Sequence, residues 1–230
     1  MTKIAIIAGT GLTESSFFSD YKHNTVKTEW GDASVYTGDI IFVQRHGISK
    51  TVPPHKINYK ANIAAVRKLG ADKIISICSV GSLSKKMPPG SLFFPDDFFS
   101  PFSVPTYHDD KCVHVVPEIS SKLKSELRSI AESLNVKFFE NGVYASMSGP
   151  RFETPSEIKW LSGFCDVVGM TAGNEIPLAN EFSIPYGLVC MVDNYANGIG
   201  KKLTFEELKY NVKNNTSKIE ELLKRIVRKL

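Results

Sequence analysis

Residues 3–8, Lys3-Ile4-Ala5-Ile6-Ile7-Ala8, form an apolar run that stops at Gly9-Thr10-Gly11. A short Ile-rich run ended by glycines is a buried β-strand feeding a tight turn. The pattern recurs with helices between. Residues 33–36 and 40–45 flank Thr37-Gly38-Asp39 and read as a hairpin. Residues 56–69 carry Ile57, Ala61, Ala64 and Ala65 at helical spacing and stop at Gly70. Residues 73–79 are the next strand, and 119–134 are an amphipathic helix with Leu123, Leu127, Ile130 and Leu134 on one stripe. Further strands are expected at 143–147, 167–170 and 186–192, and a mostly helical tail over 203–230.

Strands alternating with helices imply an α/β layered fold with a mostly parallel or mixed sheet. No linker, repeat or low-complexity stretch interrupts it, so residues 1–230 are expected to form one domain. A composition of 42% hydrophobic and 23% charged residues excludes an intrinsically disordered chain. The net charge of +4 suits an anionic small ligand and is too small and dispersed for nucleic acid. The lysines of the tail, Lys201, Lys202, Lys209 and Lys213 among them, read as a solvated face. No apolar run approaches the ~20 residues that span a bilayer, and the N-terminal run reads as a strand, not a signal peptide. Cys78, Cys112, Cys165 and Cys190 are scattered without CxxC spacing. They point to reduced thiols and a cytoplasmic protein. The histidines show no metal-ligand spacing.

In α/β sheets, ligands bind beyond the carboxyl ends of strands. Here those ends carry Gly9-Thr10-Gly11, Arg45-His46-Gly47, Ser79-Val80-Gly81-Ser82, Met170-Thr171 and Asp193-Asn194. The first motif lacks the third small residue of a dinucleotide fingerprint, because Glu14 stands there. That weighs against a nicotinamide-dependent oxidoreductase. The motif is then either a small-anion loop or a plain strand–helix turn. Arg45 has the fork that meets phosphate oxygens. Gly149-Pro150-Arg151-Phe152-Glu153-Thr154 sets an aromatic beside a carboxylate. That pair either stacks on and accepts from a heterocycle, or is a turn before a helix. The Asn194 amide both donates and accepts, which suits a heterocycle edge.

In chain order these pieces resemble the trimeric purine nucleoside phosphorylase and methylthioadenosine phosphorylase family. The matching stretches include Ile7-Ala8-Gly9-Thr10-Gly11-Leu12, Arg45-His46-Gly47, Pro54-His55-Lys56-Ile57-Asn58-Tyr59, Val80-Gly81-Ser82-Leu83, Gly149-Pro150-Arg151-Phe152-Glu153-Thr154, Asp166-Val167-Val168-Gly169-Met170-Thr171 and Glu175. The resemblance implies a single α/β domain around a mixed twisted sheet or distorted barrel flanked by helices, assembled as a homotrimer. It implies phosphorolysis: nucleoside plus phosphate gives purine base plus ribose 1-phosphate, with no metal or organic cofactor and phosphate as a substrate. Carried over residue by residue, Thr10, Arg45, His46, Ser79 (through its N–H) and Thr171 hold phosphate. Phe152 and Val168 pack the purine, and Met170 packs the ribose. Asn194 meets the purine near N7, and Arg45, His46 and Asn194 form the catalytic set.

The adenine-type relatives carry paired aspartates where this chain has Asn194 and Ala196, and the 6-oxopurine relatives carry Asn and the equivalent of Glu153. A 6-oxopurine N1 donates to a carboxylate, whereas adenine N1 only accepts. The resemblance therefore implies 6-oxopurine nucleosides. Phe205 aligns near the 5′ group and suits a methylthio substituent. His114 aligns with a position supplied by the neighbouring subunit. Together they favour 5′-methylthioinosine, with inosine or guanosine and methylthioadenosine as alternatives. A nucleoside-binding protein without catalysis is the rival outside the class; the intact Arg45, His46 and Thr171 weigh against it. Two departures stand out: the segment Thr171-Ala172-Gly173-Asn174-Glu175, and Asp193 in place of a usual threonine. The Asp193 carboxylate is expected either to perturb the purine pocket or to face solvent.

Overall fold

The structure is a computed structural model that describes every residue except 1, 2, 13, 14, 16, 50, 103 and 202. Glu14 and Lys202 therefore lie outside the described residues. Eleven described strands form one mixed sheet. At its centre, β1 (Ile4–Ala8) is parallel to β4 (Ile41–Gln44) on one side and to β5 (Lys73–Ser82) on the other. The hairpin partners β2 (Lys22–Thr28) and β3 (Gly31–Thr37) extend the sheet beyond β4.

Strand β5 forks the sheet. Its first half pairs with β1, whereas Gly81 and Ser82 pair antiparallel with β10 (Val167–Gly169). On its other edge β11 (Tyr186–Tyr195) runs alongside it for nearly the whole length. From β10 the sheet continues through β9 (Val143–Ser146) to β7 (Asp97–Phe99). From β11 it continues through β6 (Leu92–Phe94) to β8 (Phe138–Glu140). The fork opens a crevice where β1 and β10 part company.

The faces separate by strand periodicity. Ala5 and Ile7 of β1 join a core with Ile63 and Val66 of α1 (Tyr59–Lys68) and Ile176 of α4 (Ala172–Glu181). Ile4, Ile6 and Ala8 face the opposite core with Leu127 and Ile130 of α2 (Ser121–Ser133) and Leu222, Leu223 and Ile226 of α5 (Phe205–Lys229). Alternate residues of one strand therefore anchor two helical layers, as a sheet covered on both faces requires.

Several boundaries differ from expectation for physical reasons. Helix α1 begins at Tyr59, not at 56, because Ile57 is extended and the Asn58 side chain caps the helix by accepting from the Ala61 N–H. Ser120 does the same for α2, leaving Ile119 outside it. Strands β5 and β11 run on to 82 and 195, past the expected ends at 79 and 192, because they pair with each other there. Asp193 and Asn194 thus lie within a strand, not after it. Helix α3 (Pro155–Leu161) starts on a reciprocal capping box between Thr154 and Glu157. Helix α4 is buried from Ala172 to Ile176, so it shows no polar face to betray its period. No described helix is long and apolar enough to cross a membrane.

Candidate active site

A cavity at the fork brings together residues from strand ends far apart in sequence. Thr10, Arg45, His46, Ser79 and Thr171 are one group of its lining residues. Phe152, Glu153, Val168, Met170, Asn194 and Ala196 are a second group. All five expected phosphate residues and six of the expected nucleoside residues therefore share one cavity.

Arg45 is buried, and burial opposes its charge, but Glu175 of α4 outweighs that cost and raises the guanidinium pKa well above its ordinary value. The Arg45 Nε donates to Glu175 Oε1 at 2.5 Å and Nη2 to Oε2 at 3.1 Å. Nη2 also donates to Ser76 Oγ at 2.6 Å. Glu175 is held in turn by the hydroxyls of Ser76, at 2.9 Å, and Tyr186, at 2.6 Å. Nη1 donates to the Ile77 carbonyl at 3.3 Å. The guanidinium is thus anchored in the protein while Arg45 lines the cavity. The resemblance marked Glu175 without a role; the geometry makes it the anchor of Arg45.

His46 Nδ1 lies 2.8 Å from the Val52 carbonyl, and burial lowers its pKa, with the Val52 contact opposing. A neutral ring that donates from Nδ1 presents an acceptor at Nε2, matched to a protonated phosphate oxygen. A Cβ on Gly9 would lie 2.7 Å from His46 Nε2, so glycine is what lets the first loop approach the ring. Thr171 begins α4, and its hydroxyl lies 3.3 Å from Cys78 Sγ. The N-terminal end of that helix favours negative charge nearby. The Tyr144 hydroxyl accepts from the Thr171 and Ala172 N–H groups and fixes that turn.

In the second group, Asn194 donates to the Tyr195 carbonyl at 2.8 Å, which orients its amide. A Cβ on Gly81 would sit 3.1 Å from Asn194 Nδ2 and press on Ala196, so the glycine makes room for both. Glu153 is buried, and burial raises its carboxyl pKa. Its backbone carbonyl accepts from Asn197, another cavity residue.

Two expected placements change, those of Phe205 and Asp193; His114 is expected at a neighbouring subunit's site. Phe205 is 56% exposed and packs under the Lys209 ammonium, whereas Leu203 and Leu208 line the cavity. His114 is exposed and lies 3.4 Å from Cys112, away from the cavity of its own chain. Asp193 neither faces solvent nor lines the cavity: it is buried, with partners on β5 and α5. Among the described residues, no cluster of three or more His, Cys, Asp or Glu is placed to hold a metal ion.

The chain matches the Phosphorylase superfamily over residues 3–228 and belongs to it. It is 35% identical over 234 residues to the "Probable 6-oxopurine nucleoside phosphorylase" of Archaeoglobus fulgidus, covering 99% of this chain and 96% of that one. It is 40% identical over 225 residues to the "Probable S-methyl-5'-thioinosine phosphorylase" of Methanocaldococcus jannaschii, covering 94% and 88%. The fold is that of the methylthioadenosine phosphorylase from Schistosoma mansoni in complex with adenine, with TM-score 0.87 at 20% identity over 99% of this chain and 91% of that one.

Proposed function

We propose that the protein is a purine nucleoside phosphorylase that cleaves 6-oxopurine nucleosides, with 5′-methylthioinosine as the favoured substrate. The observation that carries this reading is the single cavity lined both by an anchored arginine and by Glu153 and Asn194. Full-length relatives named for 6-oxopurine nucleosides and methylthioinosine support it.

In this reading phosphate sits against Arg45, His46, Thr10, Thr171 and the Ser79 N–H. One of its oxygens attacks C1′ of the ribose as the C1′–N9 bond breaks with its electrons going to the purine. The products are the base and the pentose 1-phosphate. Charge grows on the leaving purine, where groups already in place stabilise it without reorganisation. N7 takes a proton from solvent as the C1′–N9 bond breaks; Asn194 accepts from that N7–H and donates toward O6, and Glu153 accepts from N1–H. Phe152 and Val168 hold the ring, and Met170 packs against the ribose. The apolar side chains of Leu203 and Leu208 suit a methylthio group at C5′. The reaction takes phosphate as a substrate and calls for no organic cofactor.

The exposed Phe102, Val104, Val116 and Trp160 and the outward His114 support assembly as a homotrimer in which His114 approaches the neighbouring site. We place the enzyme in the cytoplasm, where its buried thiols Cys78, Cys165 and Cys190 stay reduced. The test is a nucleoside panel assayed with and without phosphate, followed by light scattering at assay concentration. Base release that needs phosphate and favours methylthioinosine supports the reading. An active monomer contradicts the shared site.

A further inference from the structure

Asp193 is a carboxylate that the phosphorolysis chemistry does not use, yet it is fully buried. It sits at a bulge. Val192 of β11 is opposite Val80 of β5, and Asn194 is opposite Gly81, so Asp193 is the extra residue between them. Bulges re-aim side chains. Here the bulge lets Asn194 enter the cavity while Asp193 reaches the opposite helical layer. Two neutral donors satisfy the carboxylate. The Ser79 hydroxyl donates to Oδ2 across the strand pair, and Asn215 Nδ2 of α5 donates to Oδ1 at 2.8 Å.

Both partners lead back to the cavity. Ser79 lines it directly, and its hydroxyl is committed to Asp193. Asn215 lies about two helical turns beyond Leu208, hence on the same face of α5, and Leu208 lines the apolar end. A carboxylate suits this junction because it accepts from both groups at once.

We propose that Asp193 is a positioning residue that fastens Ser79 of β5 to Asn215 of α5, so that the phosphate end and the apolar end of the cavity are held as one unit. The proposal rests on the reading of the cavity as a phosphate and nucleoside site. Burial, opposed by the two hydrogen bonds, raises the Asp193 pKa to about 6, and the retention of so costly a group fits a specific role.

The experiment compares wild type with Asp193→Ala, Asp193→Asn and Asn215→Ala, each as the full chain. It reads KM for phosphate, KM for methylthioinosine, kcat, and amide exchange over residues 205–212. Asp193→Ala cuts both ties and is expected to raise both KM values roughly fivefold or more while kcat falls less. Asp193→Asn keeps both ties, because the Ser79 hydroxyl can accept where it now donates. It is expected to stay within about twofold of wild type. Asn215→Ala cuts only the helix arm, so the nucleoside KM rises, the phosphate KM stays near wild type, and exchange at the start of α5 speeds up. If Asp193→Ala fails to fold, Asn215→Ala decides. Unchanged KM values and unchanged exchange in the variants, with only a lower melting temperature, would overturn the proposal. So would an Asp193→Asn enzyme as impaired as Asp193→Ala. If wild type releases no base with phosphate, the functional reading fails, and the exchange comparison alone decides the tie.

Discussion

Arg45 and Glu175 form a buried, two-point ion pair, with Nε 2.5 Å from Oε1 and Nη2 3.1 Å from Oε2. The two residues come from the end of β4 and the first turn of α4. Their pairing spans the crevice wall beside the sheet fork. It turns a flexible cation into a fixed one, so that under the proposed function little reorganisation is needed when phosphate binds.

Removing one partner of that pair leaves the other charged and buried. Glu175→Gln is predicted to destabilise the fold by about 3 kcal/mol, or roughly 6–12 °C in Tm, and to raise the phosphate KM. Thermal melts and phosphate titrations check this. A variant with wild-type Tm and wild-type phosphate KM would show that Glu175 does not anchor Arg45.

Stability should carry the signature of Asp193. Its pKa rises from an ordinary 3.8 to about 6 in the fold. The native state then binds more protons than the unfolded chain between those values. The stabilisation is present in full below pH 3.8 and is lost as pH rises through 6. Asp193→Asn removes that titration. Relative to wild type it should gain up to about 3 kcal/mol between pH 4 and pH 7, less the strength of the charged hydrogen bonds it forgoes. Denaturant melts of both proteins across that range test the sign. A stability difference that does not change with pH would contradict it.

Leu203 and Leu208 add apolar side chains to the cavity lining. Burying one methyl contributes ~0.8 kcal/mol, about fourfold in kcat/KM. Leu208→Ala should therefore cut the preference for methylthioinosine over inosine severalfold, while the exposed Phe205→Ala leaves it within about twofold. The reverse pattern would return Phe205 to the subsite.

Under the proposed function, purine choice rests on Glu153 and Asn194. Adenine turns an N1 lone pair toward Glu153, and an unpaired buried polar group costs roughly 1–3 kcal/mol. Methylthioinosine should be cleaved about tenfold or more efficiently than methylthioadenosine. Asn194→Asp should narrow or invert that ratio, because a carboxylate accepts from the adenine amino group and repels O6. A wild-type preference for the adenine nucleoside would overturn the assignment.

The central strands were legible because Ile-rich runs such as 3–8 and 73–79 end at glycine or polar turns. The cavity residues were legible because α/β sheets place ligands at those ends. Four features were not. The extension of β5 and β11 to 82 and 195 depends on their mutual pairing, which local sequence does not encode. Helix α4 is buried on most sides, so its residues carry no amphipathic period. The partner of Arg45 is equally hidden, since Glu175 lies 130 residues away and only the tertiary fold brings them together. Asp193 seemed to belong at a strand end near the purine, and the bulge turns it toward α5 instead.

The most direct measurement is release of hypoxanthine from 5′-methylthioinosine with and without phosphate, in wild type and in Arg45→Ala. The account predicts release that depends on phosphate and yields methylthioribose 1-phosphate in equal amount. In Arg45→Ala the phosphate KM should rise by at least tenfold, since a charge-assisted contact contributes on the order of 1.5–3 kcal/mol. Release at the same rate without phosphate, or an Arg45→Ala enzyme with unchanged phosphate dependence, would contradict it.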